Sequence, residues 1–396
     1  MFSDRVPRDL TANRLTRAVA SMRAEGQPYV DLTLSNPTRG DAAIDYPDDL
    51  LAPLADPRAL VYSPSPAGDA VARHAIARDY ARRGLDVSPG RLVLTASTSD
   101  AYSLIFKLLA NAGDEVLVPR PSYPLFEHLG RLDLVSTLPY DLDIHAGWSI
   151  DFASVEAALT PRTRAMLIVS PNNPTGSFVT ADELERLAAL CAPRGIAVVA
   201  DEVFADYVLE AGAACAAGRL AARRDVLSFS LGGLSKSVGL PQMKLGWIAV
   251  GGPDSIVRAA LERLEHIADT YLAVSTPVQV AAPALLERGA AIRDRIAQRI
   301  AANYRVLVAQ GAEVPSWRVL RSGGGWYAVV QVPSIEPEED LVVRLLTENH
   351  VLAHPGYFFD FPRESFLVVS LLPTVEAFGS GLQRVIQHFD VSAGHR

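Results

Sequence analysis

Lysine is almost missing from this chain. Of 37 basic side chains only three are lysine, Lys107, Lys236 and Lys244. Arginine stays protonated in a protein and cannot act as an amine nucleophile. Lysine can, once its pKa falls, and it then condenses with aldehydes. Two of the three stand close together in Leu-Ser-Lys-Ser-Val-Gly-Leu-Pro-Gln-Met-Lys-Leu-Gly (234–246). Either Lys236 carries chemistry or it is a chance survivor, and the rest of the chain has to decide. Cysteine is equally scarce. Cys191 and Cys215 make no disulfide framework, and neither stands at a metal-ligand spacing, so no metal site is expected. Long apolar runs are missing too, broken by Gly, Pro or charge, which leaves nothing to span a membrane. Met1–Leu10 is charged throughout, with no apolar signal region. The expectation is a cytoplasmic protein with no membrane contact. A net charge of −8 and scattered arginines argue against a nucleic-acid surface.

What is present is alternation. Apolar runs rich in β-branched residues predict strands over Arg91–Thr95, Glu115–Pro119, Ala165–Ser170, Ala197–Ala200, Val226–Ser230 and Trp247–Val250. Between them lie helical patterns, Ala101–Ala110, Ala181–Cys191 and a shorter one after Ser237. Several strands are apolar throughout, as in a parallel sheet covered on both faces. This reads as an α/β doubly wound domain. From Ser255 to Gln310 the pattern is long helices interrupted at Thr276-Pro277. After Pro315 it becomes α+β: strand Trp326–Val332, helix Asp340–Asn349, strand Phe366–Leu371 and a last helix Val375–Phe389. Residues 1–35 read as an arm packing back on this smaller part.

In open α/β sheets ligands sit at the carboxyl ends of the strands. Four predicted strand ends carry polar loops. Leu-Thr-Ala-Ser-Thr-Ser-Asp-Ala (94–101) runs from strand into helix, so hydroxyls and free amides would form an anion site, or Ser97, Thr98 or Ser99 would simply cap the helix. Ser-Pro-Asn-Asn-Pro-Thr-Gly (170–176) is a rigid turn displaying two amides. Val-Ala-Asp-Glu (199–202) puts Asp201 at the end of an apolar strand, where a carboxylate needs a partner or solvent. Ser-Phe-Ser-Leu-Gly-Gly-Leu-Ser-Lys (228–236) leads to Lys236.

In this order and spacing the four pieces resemble the fold type I pyridoxal-phosphate-dependent aminotransferases of class I/II, the aspartate aminotransferase superfamily, over residues 28–385. The resemblance implies an α/β large domain (36–275), with a mostly parallel seven-stranded sheet sandwiched by helices, and a smaller α+β C-terminal domain (276–396). It also implies a homodimer with a shared active site, acting on a small-molecule amino donor and an oxo acceptor. Residue by residue, Lys236 would carry pyridoxal 5′-phosphate and shuttle the substrate proton, and Asp201 would pair with the ring nitrogen. Asn173 would bond the ring O3′, with Tyr123 and Val203 on the two ring faces. Ser97, Thr98 and Ser99 would hold the phosphate, helped by Lys244 and by Tyr62 reaching across from a partner subunit.

The chain also departs from the family pattern. Phe204 stands in place of a tyrosine that donates to O3′, leaving Tyr207, three residues on, as an alternative donor. Gly233 replaces a phosphate-binding serine, and Lys244 an arginine. Val368 fills the slot of the arginine that grips the substrate α-carboxylate. Candidate substitutes are Arg39, Arg321 and Arg363, with Asn36 and Trp326 completing the substrate list. Trp326, Tyr327, Tyr357, Phe358, Phe359 and Phe361 either face substrate or fill the small-domain core. The loss of the arginine keeps open a lyase, decarboxylase, racemase or oxidase on the same scaffold. A cofactor-sensing regulator is the reading from another class, and the acidic charge stands against it.

Overall fold

The computed structural model describes residues 2–210 and 217–393, and Cys215 lies outside them. The chain opens with α1 (Arg14–Ala24), capped by the Asn13 side chain, and a two-residue strand, β1 (Val30–Asp31). The large sheet follows: β2 (Leu92–Thr95), β3 (Glu115–Arg120), β4 (Ser136–Asp143), β5 (Ser149–Ile150), β6 (Thr163–Val169), β7 (Ala197–Asp201), β8 (Ser228–Gly233) and β9 (Gly246–Gly251). Their order is β2-β9-β8-β7-β6-β3-β4-β5. β9 and the two-residue edge strand β5 run antiparallel to their neighbours, and the other six are parallel. Seven strands make up the expected sheet, with β5 added at its edge. The sequence reading missed β4, which carries Pro139 and a hydroxyl-rich start, as strands near a sheet edge often do.

Alternation along the strands explains the layers. Leu167, Val199 and Phe229 face one way and pack on Ile105 of α3 (Thr98–Leu109) and Leu264 of α8 (Asp254–Tyr271). Met166, Ile168 and Val198 face the other way and pack on Leu184 and Leu187 of α6 (Ala181–Cys191). Burial on both faces is why these strands are apolar at every position. The helix expected after Ser237 lies earlier, at Leu234–Ser237, and includes Lys236 itself. Gly239 and Pro241 then break the chain, and only a 3-10 turn, Pro241–Met243, follows.

α8 ends at Leu272 in the left-handed region, and the 37-residue α9 (Thr276–Ala312) begins with Pro277 in its first turn, where its missing N–H is no loss. β10 (Arg318–Val319), β11 (Tyr327–Gln331), β13 (His354–Pro355) and β14 (Phe366–Ser370) then form an antiparallel sheet in the order β10-β11-β14-β13. α10 (Glu338–Thr347) and α11 (Val375–Ala393) complete this part. The first residues of the chain pack against it. β1 pairs in parallel with β12 (Val351–Leu352), and Arg14 meets Asp340 at 2.6 Å.

One buried cation ties these parts together. Arg293 of α9 donates from Nε to the Ser237 carbonyl oxygen at 2.9 Å and from Nη2 to Asp79 of α2 (Ala70–Arg82) at 3.2 Å. Asp206 lies 3.7 Å away, and Arg82 bonds both acids. Removing one partner leaves buried carboxylates short of charge. Arg293→Met is therefore expected to cost about 3–5 kcal/mol in the denaturant-unfolding free energy. A loss below about 1 kcal/mol would show that Arg82 alone balances both acids.

Candidate active site

Pairing register collects the polar strand ends at one edge. Thr95 of β2 faces Gly246 of β9, which faces Gly233 of β8 on its other side. Asp201 pairs with Leu231 of β8 and with Val169 of β6. Six parallel strands thus end where antiparallel β9 begins, beside a cavity of about 170 Å³. Of the expected cofactor residues, Ser97, Thr98, Tyr123, Asn173, Asp201, Val203 and Lys236 line this cavity.

Lys236 sits on the one-turn helix Leu234–Ser237. Its Nζ donates to the Ser35 carbonyl oxygen at 3.3 Å and lies 4.8 Å from the Trp326 ring centroid and 5.7 Å from that of Phe204. Burial among these rings pushes its pKa down to about 8, opposed by the charge of Asp201. Asp201 is buried. Its Oδ1 accepts the Val203 amide and its Oδ2 the Tyr102 hydroxyl, both at 3.1 Å. Burial pushes its pKa up to about 6, against those two bonds and the positive charge of Lys236. Tyr102 was not anticipated. It stands four residues after Thr98 on α3, a spacing that puts both on one helix face.

The 170–176 turn divides its two amides between tasks. Asn172 is structural: it donates to the Pro121 carbonyl oxygen and to Thr175 Oγ1, and accepts from Ser122. Asn173 lines the cavity, and its Oδ1 is buried without a partner. Gly176 has φ +72°, and a Cβ there would lie 2.6 Å from the Gly324 carbonyl oxygen, so only glycine closes the turn.

The phosphate-site candidates separate. The Ser97 hydroxyl accepts the Asp100 amide at 3.1 Å, so Ser97 caps α3. Thr98 faces the cavity at the helix N-terminus, where first-turn amides have no carbonyl to bond. Ser99 does not line the cavity. Lys244 is exposed, in the left-handed region at φ 51°, and also stands outside the lining. Tyr62, 78% exposed, lines a separate surface cleft with Tyr271 and Gln279.

The substrate candidates are placed elsewhere. Asn36 is exposed and turned back on Thr38, and Arg39 is exposed. Arg321 is exposed and paired with Glu210, and Arg363 is exposed, 5.7 Å from the Phe366 ring centroid. Trp326 is fully buried against Phe204 and Tyr207, giving Lys236 its aromatic floor. The Tyr207 hydroxyl donates to the Lys236 carbonyl oxygen at 2.5 Å, so it is committed to the backbone rather than to a ligand. Ser35, Ser235 and Tyr327 line the cavity as well. Ser235 could have been suspected as the direct neighbour of Lys236. Ser35 and Tyr327 come from distant segments, and no local pattern marks them.

The family model for aminotransferase class I and II matches residues 35–377, which include every one of these cavity residues. The chain belongs to that family. Among relatives of this aminotransferase, the alanine aminotransferase of Mycobacterium tuberculosis is 26% identical over 381 residues, covering 92% of this chain and 86% of that one. The glutamate-pyruvate aminotransferase AlaA of Escherichia coli K12 is 26% identical over 364 residues, covering 90% and 89%. Among solved structures, the alanine aminotransferase from Pyrococcus furiosus superposes over the whole of both chains, with a TM-score of 0.87 at 22% identity. The fold is that of the fold type I aminotransferases, and the substrates of such enzymes are amino and oxo acids.

The site sets a pH test for this aminotransferase. Without bound ligand, the rate at which an amine-reactive reagent labels Lys236 should rise with pH about a midpoint near 8 rather than 10.5. Asp201 holds that midpoint up, so Asp201→Asn should move it lower. Peptide-resolved labelling reads both, and an upward shift in the variant would contradict the assigned electrostatics.

Proposed function

We propose that this aminotransferase works with pyridoxal 5′-phosphate carried on Lys236. The observation that carries the reading is the convergence on one cavity of three groups. They are an amine with a lowered pKa, a buried carboxylate held by two donors, and an amide oxygen without a partner. When bound, the cofactor would supply an electron sink for the substrate carbon that loses its proton.

The remaining work falls to the protein. Lys236, part-neutral near pH 8, would accept and return that proton. Asp201, ionised above about pH 6, would meet a protonated ring nitrogen, and the Tyr102 and Val203 donors fix its orientation. Asn173 would turn its amide to the ligand. Tyr123 and Val203 would bound the ring, and Thr98 with the first-turn amides of α3 would take the phosphate. Ser97 and Ser99 contribute through the cap and helix end, and Lys244 through charge at a distance.

The proposal extends to a homodimer with a shared site. Its support is the exposed apolar run Leu60, Val61 and Tyr62, at 89%, 63% and 78% exposure, which a partner would cover. A cytoplasmic location is proposed on the scarcity of cysteine. The division into an arm (1–35), a large domain (36–275) and a small domain (276–396) is supported by where the two main sheets end and begin. The relatives are named for transamination, and the lyase, decarboxylase, racemase and oxidase alternatives have no support of their own.

Borohydride reduction of the cofactor-loaded protein, followed by peptide mapping, should place the pyridoxyl group on Lys236. Finding it on Lys107 or Lys244 would overturn the assignment. Lys236→Ala should abolish turnover while keeping the fold. Asp201→Asn should lower kcat at least about a hundredfold, about 2.7 kcal/mol of barrier, and a change of only a few-fold would remove Asp201 from the mechanism.

A further inference from the structure

An aminotransferase must hold a carboxylate, and a buried carboxylate needs a cation or several hydrogen-bond donors. Among the described residues, Lys236 is the one basic side chain that lines the cavity. Its amine is taken up by the chemistry proposed above. Arg39, Arg321 and Arg363 all stand outside the lining. A guanidinium is therefore not what the cavity offers.

It offers hydroxyls. Tyr327 begins β11 and pairs with Ser370 of β14, while Val329 pairs with Val368 and Val368 with His354. Paired residues in an antiparallel sheet put their side chains on one face, and so do residues two apart. Tyr327 thus projects from the same face as Val368, the position where the family resemblance expects an arginine. The Tyr327 ring lines the cavity and is 8% exposed. Ser35 lines the cavity too, and its hydroxyl opposes the burial that raises the phenol's pKa. Ser370 donates from its hydroxyl to the Leu34 carbonyl oxygen, fastening the segment that carries Ser35 to this same face. Burial holds the phenol protonated, with its pKa pushed up to about 12, so it stays a donor across the working range.

We propose that Tyr327, with Ser35 beside it, binds the carboxylate of the amino and oxo acid substrates through neutral hydroxyl donors in place of a guanidinium. Neutral donors are roughly half as strong as charge-assisted ones, so this grip relies on exclusion of water and on several bonds at once.

The proposal rests on the cavity being the site that carries the cofactor, and the test keeps the two apart. The cofactor-loaded enzyme is titrated with 3-phenylpropionate and with its uncharged amide, 3-phenylpropanamide. Binding is read from the absorbance of the lysine-bound cofactor. Wild type should favour the carboxylate. Tyr327→Phe should weaken the carboxylate at least tenfold and the amide less than twofold, and Ser35→Ala should do the same to a smaller degree. Equal losses for both probes, no loss in Tyr327→Phe, or a wild type that does not favour the carboxylate would overturn the assignment. Absence of the lysine-bound absorbance in wild type would instead fail the reading of the site, and retention of it in Tyr327→Phe reports an intact fold.

Discussion

The main chain at Lys236 is held from outside. A four-residue helix has too few internal bonds to persist by itself. Here the Lys236 carbonyl oxygen accepts the Tyr207 hydroxyl and the Ser237 carbonyl oxygen accepts Arg293 Nε, while the Ser237 hydroxyl donates back to Gly233. Those bonds come from the segment after β7, from α9 and from β8. The position of the reactive amine is thus set by three elements that meet only in the folded chain. The buried charges around Arg293 exist to balance one another, and their common effect is to fix this one turn.

Within the cavity, desolvation sets the chemistry. The same removal of water that lowers the Lys236 pKa raises that of Asp201. Each charge partly restores the other, so the amine titrates close to neutrality while the carboxylate stays ionised there. Trp326 and Phe204 contribute through their bulk and ring faces, which keep water from the ammonium. Glu202, the next residue after Asp201, shows the alternative. It is buried away from the cavity, and its pKa is pushed up to about 7 by burial, with the charge of Arg83 and the Ser230 hydroxyl offsetting it in part.

Much of this was legible in the sequence because the signals were local. Uniformly apolar runs gave the buried strands, and α6 matches its predicted span residue for residue because Thr180 and Glu183 form a capping box at its start. The strand-end residues Asp201, Asn173 and Lys236 were legible because the sheet puts strand ends together. Positions set by tertiary contact were not. Lys244, which the resemblance puts at the phosphate, is exposed outside the cavity lining because the left-handed turn there leaves Met243 and Leu245 buried on either side of it. Tyr207 reads as a spare phenol in the sequence, whereas its hydroxyl donates to the backbone of Lys236 in the fold. Ser35 and Tyr327 reach the cavity from segments nearly 300 residues apart, and only the folded chain brings them to the same lining.

The turn that carries Asn173 is sewn to a different part of the molecule from the strand that precedes it. The amides of Gly323 and Gly324 both donate to the Gly176 carbonyl oxygen, at 3.1 and 3.0 Å, and Val208 forms a bridge with Gly324. Two residues later the same segment delivers Trp326 beneath Lys236, and then Tyr327. The glycine run 323–325 therefore works as a template. It sets the distance between the amide wall and the aromatic floor, so the width of the cavity is a property of backbone-to-backbone contact. Side chains on either wall can change the character of the cavity while its gauge stays the same.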